Sequence, residues 1–373
     1  MKPPFRAEHV GSLLRPKALL DARDRLEGDQ YAEVRESRAF ADLRDEEDKA
    51  IRDAVKLQED VGLQVVTDGE FRRRSWYQDF VLALEGTAIR FGDSILGFQN
   101  EDGEKLPSHL VVVEDRLRRP GGITTDAFSF LKAATSRTPK VTMPSPSMLH
   151  FLGGRPSVSE SAYPDLDALW ADLVEIYRAE VQELWELGCR YVQFDDVTFA
   201  IICDPKFREA IRERGEDHQA LMDTYAAVIN AIVADRPEGM TYGLHTCRGN
   251  NRGMWMAEGG YDVVAETVLK KIDVDAFFFE FDSDRAGDFT PLRHLPDDKQ
   301  IVLGLITTKT PELEKKDVLK RRIEDAAAVV PLDHICLSPQ CGFASNFMGN
   351  PVTIEDERRK LGLVVETARE VWG

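Results

Sequence analysis

The sequence predicts an α/β fold, namely a (β/α)8 TIM barrel with an insertion after the second strand. Short runs of β-branched and aromatic residues recur along the 373-residue chain, separated by longer segments with helical periodicity. We identify eight such runs, and eight βα units close a parallel barrel, whereas open doubly wound sheets usually contain fewer. The runs are Ala7–Gly11, Leu63–Thr67, Val141–Met143, Tyr191–Phe194, Thr241–His245, Ala276–Glu280, Ile301–Leu305 and His334–Leu337.

The segments between the runs have the pattern of helices that lead into strands. Before the fourth run, apolar residues recur at three- and four-residue steps, and Gly188 then offers a helix stop. A similar segment from Ile51 leads through Gly62 into the second run. The residues that form the periodic stripe before the fourth run are Trp170, Leu173, Val174, Tyr177, Val181, Leu184 and Leu187.

The segment from about 76 to 140 is too long for an ordinary connection. Its stretches with Gly, Asp and Pro predict an inserted hairpin and helix over the barrel mouth. No linker composition or low-complexity tract divides the chain, so we expect residues 1–373 to form a single barrel domain.

Charge and composition exclude several classes of function. The net charge of −18 repels phosphate backbones and anionic lipid, which argues against nucleic acid or a membrane surface as a partner. No apolar run is long enough for a signal peptide or a membrane span, so we predict a cytoplasmic protein. Five cysteines are an odd and sparse set, which disfavours a disulfide framework.

Polar residues follow many of the predicted strands. In parallel barrels the catalytic groups lie at these carboxyl ends, so such residues are candidates for a site. They are Gly11 and Ser12 after the first run, Asp68 and Glu70 after the second, Asp195 and Asp196 after the fourth, His245 and Cys247 at the fifth, Glu280 at the sixth, and Gln340 and Cys341 after the eighth.

His245, Cys247, Glu280 and Cys341 are residue types that Zn²⁺ binds, and they come from three separate strand ends. Zinc held by two thiolates is electron-rich, so it suits activation of another thiol as a nucleophile better than acidification of water. The alternative is that both cysteines are small buried apolar residues and that Glu280 is a surface carboxylate. Three other cysteines are assigned to packing, and these are Cys189, Cys203 and Cys336.

Six short motifs together resemble those of the cobalamin-independent methionine synthase family. The resemblance extends over nearly the whole chain, and it implies a zinc-dependent methyltransferase on a TIM barrel. The more distant uroporphyrinogen decarboxylases need no metal. The motifs are H-V-G-S at His9–Ser12, V-T-D-G-E at Val66–Glu70, V-Q-F-D-D at Val192–Asp196, H-T-C at His245–Cys247, F-F-F-E at Phe277–Glu280 and S-P-Q-C-G at Ser338–Gly342.

The resemblance also implies a homocysteine pocket. Val10, Gly11 and Ser12 would hold the carboxylate of the amino acid, while Glu70 and Asp195 would take its ammonium group. Donors at one end and fixed carboxylates at the other suit a zwitterion. The alternative for the two acidic residues is that they are solvated, or that they pair with Arg72–Arg74.

The sequence departs from the family at the methyl-donor site. The family's pterin-binding glutamate is replaced by Ile201, an expected tryptophan by His150, and a proton-transfer histidine by Lys309. Lys309 is then a candidate catalytic residue together with Asp195, and His150 a candidate substrate-binding residue. The alternative for Lys309 is a solvated loop lysine or a partner of Glu312. The chain is also too short for the additional N-terminal barrel of the full-length synthases.

The resulting prediction is methyl transfer to homocysteine with an undetermined donor. Methyltetrahydrofolate, a methylated corrinoid or corrinoid protein, and another activated methyl compound all stay open. Two alternatives are a related zinc enzyme that joins coenzyme M to an epoxide, and a non-catalytic barrel that senses zinc or thiols. The carboxylates Glu70 and Asp195 disfavour coenzyme M, which lacks an ammonium group. A homo-oligomer is an open alternative to a monomer.

Overall fold

The computed structural model describes residues 3–26, 38–92, 94–95 and 108–373. The helices are α1 (Lys17–Asp24), α2 (Arg38–Val61), α3 (Gln78–Leu82), α4 (Thr125–Ala134), α5 (Leu166–Glu186), α6 (Thr198–Ile202), α7 (Pro205–Glu213), α8 (His218–Ala234), α9 (Asp262–Lys271), α10 (Lys316–Ala327) and α11 (Ile354–Trp372). The strands are β1 (Val65–Val66), β2 (Glu85–Gly92), β3 (Ser108–Arg118), β4 (Thr138–Pro139), β5 (Val141–Pro144), β6 (Tyr191–Asp196), β7 (Thr241–Thr246), β8 (Ala276–Glu280), β9 (Gln300–Ile306) and β10 (Ile335–Pro339).

A parallel sheet forms the centre of the fold, and its strand order is β10-β9-β8-β7-β6-β5. The predicted runs three to eight lie on these strands, and the sixth has the predicted bounds, Ala276–Glu280. Nearly every residue of the sheet is buried, because helices connect its parallel strands. The predicted α/β class with a parallel sheet is therefore confirmed.

The first predicted run does not form an extended strand. Ala7 makes an isolated parallel bridge to Leu337 of β10, and Glu8 N donates to the Leu337 carbonyl at 2.8 Å. Beyond this bridge, side chains take the backbone carbonyls that a ladder would use: Gln193 Nε2 donates to Val10 O, and Thr67 Oγ1 donates to Gly11 O. The expected strand Ala7–Gly11 is thus shortened, because its carbonyl groups accept hydrogen bonds from side chains instead of from a neighbouring strand.

The second run is represented by β1, which pairs in parallel with β4 immediately before β5. A backbone hydrogen bond of 3.1 Å from Leu13 N to Gly69 O joins the segments that follow the first and second runs. Closure of all eight units into one barrel stays a prediction, as does the single domain.

Two helices end at the glycines that the sequence indicates. Helix α5 is followed by Gly188 with φ 96°, and α2 is followed by Gly62 with φ 97°. Positive φ is accessible to glycine without steric cost, so each residue can turn the chain out of its helix. Residues of the periodic stripe on α5 are buried, among them Leu173, Tyr177 and Leu184.

The insertion contains the antiparallel hairpin of β2 and β3, followed by α4. Glu180 of α5 anchors the start of α4, because its carboxylate accepts hydrogen bonds from Thr124 N at 2.7 Å and from Ile123 N at 3.0 Å. A carboxylate at a helix N-terminus also complements the helix dipole. In the described parts of the chain, no helix is both long and apolar enough to cross a membrane.

Helix α11 packs against the N-terminal segment. Glu357 Oε2 accepts a hydrogen bond of 2.8 Å from Leu14 N, two residues after Ser12. The helix begins with a capping box, in which Asp356 N donates to Thr353 Oγ1 and Thr353 N donates to Asp356 Oδ2. The C-terminal helix therefore holds the loop that follows the first run.

Replacing the cap residue Thr353 should destabilise the protein modestly. We expect Thr353→Ala to lower the free energy of unfolding by about 1 kcal/mol, because it leaves an N-terminal amide of α11 without its acceptor. Urea denaturation measures this change. Thr353→Ser retains the hydroxyl and is the matched control; an equal loss in both variants would contradict a capping role.

Candidate functional site

Four buried side chains meet at the carboxyl ends of β7, β8 and β10. His245 and Cys247 lie at the end of β7, Glu280 ends β8, and Cys341 follows β10. One ligand atom from each residue lies within 4.8 Å of the others. The four residues predicted as metal ligands are thus brought together, although they are up to 96 positions apart in sequence.

The two thiols of this cluster lie in contact. The Sγ atoms of Cys247 and Cys341 are 3.4 Å apart, which is too long for a disulfide bond. Two thiolates on one tetrahedral zinc ion would be about 3.8 Å apart, given Zn–S bonds of about 2.3 Å. The hydrogen bond between the thiols lowers the pKa of Cys341 and raises that of Cys247, so the pair favours one thiolate.

The His245 ring is oriented for ligation through Nε2. Its Nδ1 lies 3.3 Å from the carbonyl oxygen of Phe278, which can accept the Nδ1 proton. Nε2 is buried and has no hydrogen-bond partner among the described residues, as expected for an atom that faces a ligand. Burial lowers the pKa of His245, but the neighbouring Cys341 thiol and nearby negative charges outweigh it and raise the pKa to about 9.

Glu280 is held by backbone and aromatic contacts. Its Oε1 accepts a hydrogen bond of 3.0 Å from Arg248 N, and its own amide donates to Tyr261 Oη at 3.1 Å. Burial raises the pKa of the carboxyl group, and the positive charge of Lys309 acts in the opposite direction. A cation beside Glu280 therefore favours its ionised form, which is the form that binds a metal.

Lys309 lies in the loop after β9 and is buried. Within the described ranges, its Nζ has no hydrogen-bond partner. Burial lowers the pKa of this amine, but Glu280, Cys341 and other negative groups raise it above its ordinary value. The alternative of a solvated lysine is therefore wrong: Lys309 is a buried cation, and the charges of the predicted metal ligands act on it.

A hydrogen-bond network joins the loops that carry the two cysteines. Asn250 Nδ2 donates to Gly342 O at 2.7 Å, and Thr308 Oγ1 donates to the same oxygen at 3.0 Å. Asn350 Nδ2 donates to Asn250 Oδ1 at 2.9 Å and to Thr308 O at 3.0 Å. These loops follow β7, β9 and β10, so the network fixes Cys247 relative to Cys341.

Glu70 occupies a tight turn after β1, where it is a non-glycine residue with φ 62°. Its Oε1 accepts a hydrogen bond of 2.8 Å from Thr142 Oγ1 and lies 3.6 Å from Arg73 Nη2. The predicted alternative of an arginine partner is thus correct for this oxygen. The other oxygen, Oε2, is buried and has no partner in the described parts of the structure, so it can accept a hydrogen bond from a ligand.

Asp195 lies next to His245 in the register of β6 and β7. Its Oδ1 accepts a hydrogen bond of 2.7 Å from Gln193 Nε2. Burial and the like charge of Glu70 raise the pKa of Asp195 to about 7. Two buried carboxylates that repel each other favour a bound cation, such as an ammonium group, between them.

The segment Val10–Ser12 is buried, and it borders Glu70 on one side and the loop of Cys341 on the other. Gly11 has φ 147°, and a Cβ atom there would lie 2.7 Å from Thr142 Cγ2 and 3.5 Å from Glu70 Oε1. On the other side, a Cβ atom at Gly342 would overlap Ser12 Oγ. The segment therefore lies between Glu70 and the loop of Cys341.

The contacts described for His150 are not with the other predicted site residues. Its Nδ1 lies 2.8 Å from Tyr225 Oη, and its ring packs edge-on against Trp170. Burial and nearby arginines lower its pKa to about 4. A role for His150 in substrate binding stays a prediction. Ile201 lies on α6, is fully buried and belongs to the main apolar core.

Sequence reasoning missed the roles of Gln193, Lys140 and Thr142. Gln193 and Thr142 lie inside predicted strands, where a polar side chain among apolar neighbours was the available signal. The three cysteines assigned to packing, Cys189, Cys203 and Cys336, are buried, and burial raises the pKa of each. Such thiols are unreactive at neutral pH.

Two similar proteins align over almost the full length. The uncharacterized protein YxjH of Bacillus subtilis (strain 168) is 42% identical, with 100% of this chain and 96% of YxjH covered. The crystal structure of a putative vitamin-B12 independent methionine synthase from Listeria monocytogenes is 33% identical and has a TM-score of 0.75, with 100% of this chain and 99% of that chain covered.

A longer relative and a family model complete the comparison. The 5-methyltetrahydropteroyltriglutamate–homocysteine methyltransferase of Aeromonas salmonicida (strain A449) is 24% identical over 78% of this chain, which matches only 35% of that enzyme. The family model described as "Cobalamin-independent synthase, Catalytic domain" matches residues 24–370. The chain therefore belongs to the family of cobalamin-independent synthase catalytic domains.

Proposed function

We propose that this protein is a zinc-dependent methyltransferase that methylates the thiol of homocysteine and forms methionine. The observation that carries the proposal is the buried cluster of His245, Cys247, Glu280 and Cys341, whose ligand atoms lie within 4.8 Å of one another. Two sulfurs, an imidazole nitrogen and a carboxylate oxygen are a donor set that fits Zn²⁺. Bound zinc would supply Lewis-acid stabilisation of the substrate thiol in its deprotonated, nucleophilic form.

The neighbouring carboxylates would bind the amino-acid end of the substrate. Glu70 Oε2 lacks a partner among the described residues, and Asp195 carries a raised pKa that a cation would lower again. We assign the substrate ammonium to these two residues and its carboxylate to Val10, Gly11 and Ser12. Asp195 adjoins His245 across β6 and β7, so the amino-acid end and the sulfur end can be bound at the same time.

Lys309 would act on the methyl-donor side of the site. Its buried ammonium group lacks a hydrogen-bond partner among the described residues. The negative charges of Glu280 and Cys341 stabilise the ammonium form. A fixed cation there can stabilise an anionic group of the donor or of the departing carrier. We further propose that the eight βα units close into a single cytoplasmic barrel domain, with the insertion as part of it.

A donor screen tests the proposed function. Zinc-loaded protein is incubated with homocysteine and, in turn, methyltetrahydrofolate, its polyglutamate form and methylcobalamin, and methionine is measured. Methionine formation that depends on zinc and on homocysteine is expected with at least one donor. If none of the three donors yields methionine, and a methylated corrinoid protein yields none either, the proposed function is wrong.

We predict that free methyltetrahydrofolate is a poor donor. Its tertiary nitrogen must be protonated to leave, and a positioned general acid is typically worth about 100-fold or more. Ile201 offers neither a proton nor a hydrogen bond, and it is buried in the core rather than free to contact a pterin. The initial rate with methyltetrahydrofolate should therefore be about 100-fold or more below that with methylcobalamin.

The matched control for this prediction is Ile201→Val, which removes one methylene and should leave the ratio of the two rates unchanged. We do not expect Ile201→Glu to restore folate use, because the structure would have to bury its charge in the apolar core. Comparable rates with both donors in the unmodified protein would show that other residues bind the pterin.

A further inference from the structure

Gln193 lies on β6, two residues before Asp195, so both side chains project from the same face of the strand. Its amide makes three hydrogen bonds. Nε2 donates to Asp195 Oδ1 at 2.7 Å and to Val10 O at 2.8 Å, while Oε1 accepts from Lys140 Nζ at 2.9 Å. Both protons of the amide nitrogen are therefore used on residues of the proposed pocket.

Lys140 determines which way this amide points. An ammonium group can only donate, so Gln193 Oε1 must face Lys140 and Nε2 must face Asp195 and Val10. Lys140 is itself buried and held in place, because its Nζ also donates to His9 O and lies 3.4 Å from Glu8 Oε2. The orientation of the Gln193 amide is thus fixed by a buried ion pair.

The remaining contacts of the ion pair lie away from the pocket. Glu8 Oε1 accepts hydrogen bonds from Phe5 N at 2.9 Å and from Tyr191 Oη at 3.3 Å. Tyr191 lies at the opposite end of β6 from Asp195. The network therefore extends along β6, and among the described residues its hydrogen bond to Asp195 comes from the Gln193 end.

We propose that Gln193 is the positioning residue that makes the pocket selective for thiols with an α-amino group. The inference rests on the proposed function and names how its substrate is selected. By donating to both Asp195 and Val10, one rigid amide sets the distance between the residue that takes the ammonium group and the segment that takes the carboxylate. It also leaves Asp195 without freedom to turn toward another donor, so its charge is directed at the substrate.

The test compares two thiols that differ by one group. Homocysteine and 4-mercaptobutanoate share the thiol, the carbon chain and the carboxylate, but only homocysteine has the ammonium group. Isothermal titration calorimetry of the zinc-loaded full chain gives the ratio of their dissociation constants. We expect the unmodified protein to prefer homocysteine, and Gln193→Met, which has a similar volume, to reduce this preference about 10-fold or more, because methionine donates to neither Asp195 nor Val10.

Tyr191→Phe is the matched control. It removes one hydrogen bond of 3.3 Å from the same buried network but no contact with Asp195, so the preference should be kept. Zinc content should stay at about one ion per chain in every variant, because the side-chain hydrogen bonds of Gln193 within the described residues go to Asp195, Val10 and Lys140 and not to the four proposed metal ligands. If Gln193→Met does not fold, Gln193→Leu also donates to neither partner and has the same expected loss of preference.

An unchanged preference in the Gln193 variants, or an equal loss in Tyr191→Phe, would overturn the inference. So would an unmodified protein that binds both thiols equally. Failure of the proposed function is a separate result: if no donor yields methionine while the Gln193-dependent preference is measured, methyl transfer is wrong and the selectivity role stands.

Discussion

Cys341→Ser and Cys247→Ser should each lose most of the bound zinc. The unmodified protein is expected to carry about one zinc ion per chain, as a four-ligand site requires. Loss of residues that merely orient metal ligands typically weakens metal binding about 10–100-fold, and loss of a ligand should cost at least as much. Metal analysis after dialysis against a weak chelator measures the remaining zinc.

Cys203→Ser is the matched control for these two variants. Cys203 is also a buried thiol, but its Sγ donates to Phe199 O in α6 instead of facing the metal-ligand residues. Its zinc content should equal that of the unmodified protein. Equal zinc retention in all three serine variants would show that the cluster is not the metal site.

Asp195→Asn should weaken homocysteine binding about 10–100-fold, the loss typical of a buried hydrogen bond to a charged group. The amide removes the negative charge that we assign to the substrate ammonium and leaves the four metal-ligand residues intact. Calorimetric titration with homocysteine measures the change, and metal analysis should show that zinc is retained.

Asp196→Asn provides the matched control at the next position of β6. Asp196 points away from the pocket, since its oxygens accept hydrogen bonds from Ser147 Oγ at 2.6 Å and Phe199 N at 3.0 Å. The asparagine oxygen can still accept from Phe199 N while its NH2 group donates to the Ser147 hydroxyl, so homocysteine affinity should change little. If Asp195→Asn binds homocysteine as tightly as the unmodified protein does, Asp195 is not part of the pocket.

Much of the site was predictable because strand ends are local features. A buried run followed by His245 and Cys247, or by Glu280, is visible in the sequence, and a parallel sheet brings such ends to one edge. The prediction of four converging ligand residues required only the order of the strands. The short, almost wholly apolar runs that form these strands are themselves a short-range pattern.

The network behind the pocket was not predictable in the same way. Lys140, Gln193 and Glu8 are far apart in sequence; Gln193 and Glu8 are polar residues inside predicted strands, and Lys140 directly precedes one. Such residues are explained only by the partner that satisfies them after folding. The shortened first run has the same origin, since the carbonyls of His9, Val10 and Gly11 accept hydrogen bonds from side chains of three other segments.

The contacts of the N-terminal segment have a consequence for biosynthesis. The segment Arg6–Leu14 is translated long before the groups that hold it, at Leu337, Gly342 and Glu357. Contacts between such distant parts of a chain form slowly, because a long loop must close first. The nascent chain therefore cannot complete its amino-acid pocket until α11 has left the ribosome, and substrate can stabilise the fold only from that point.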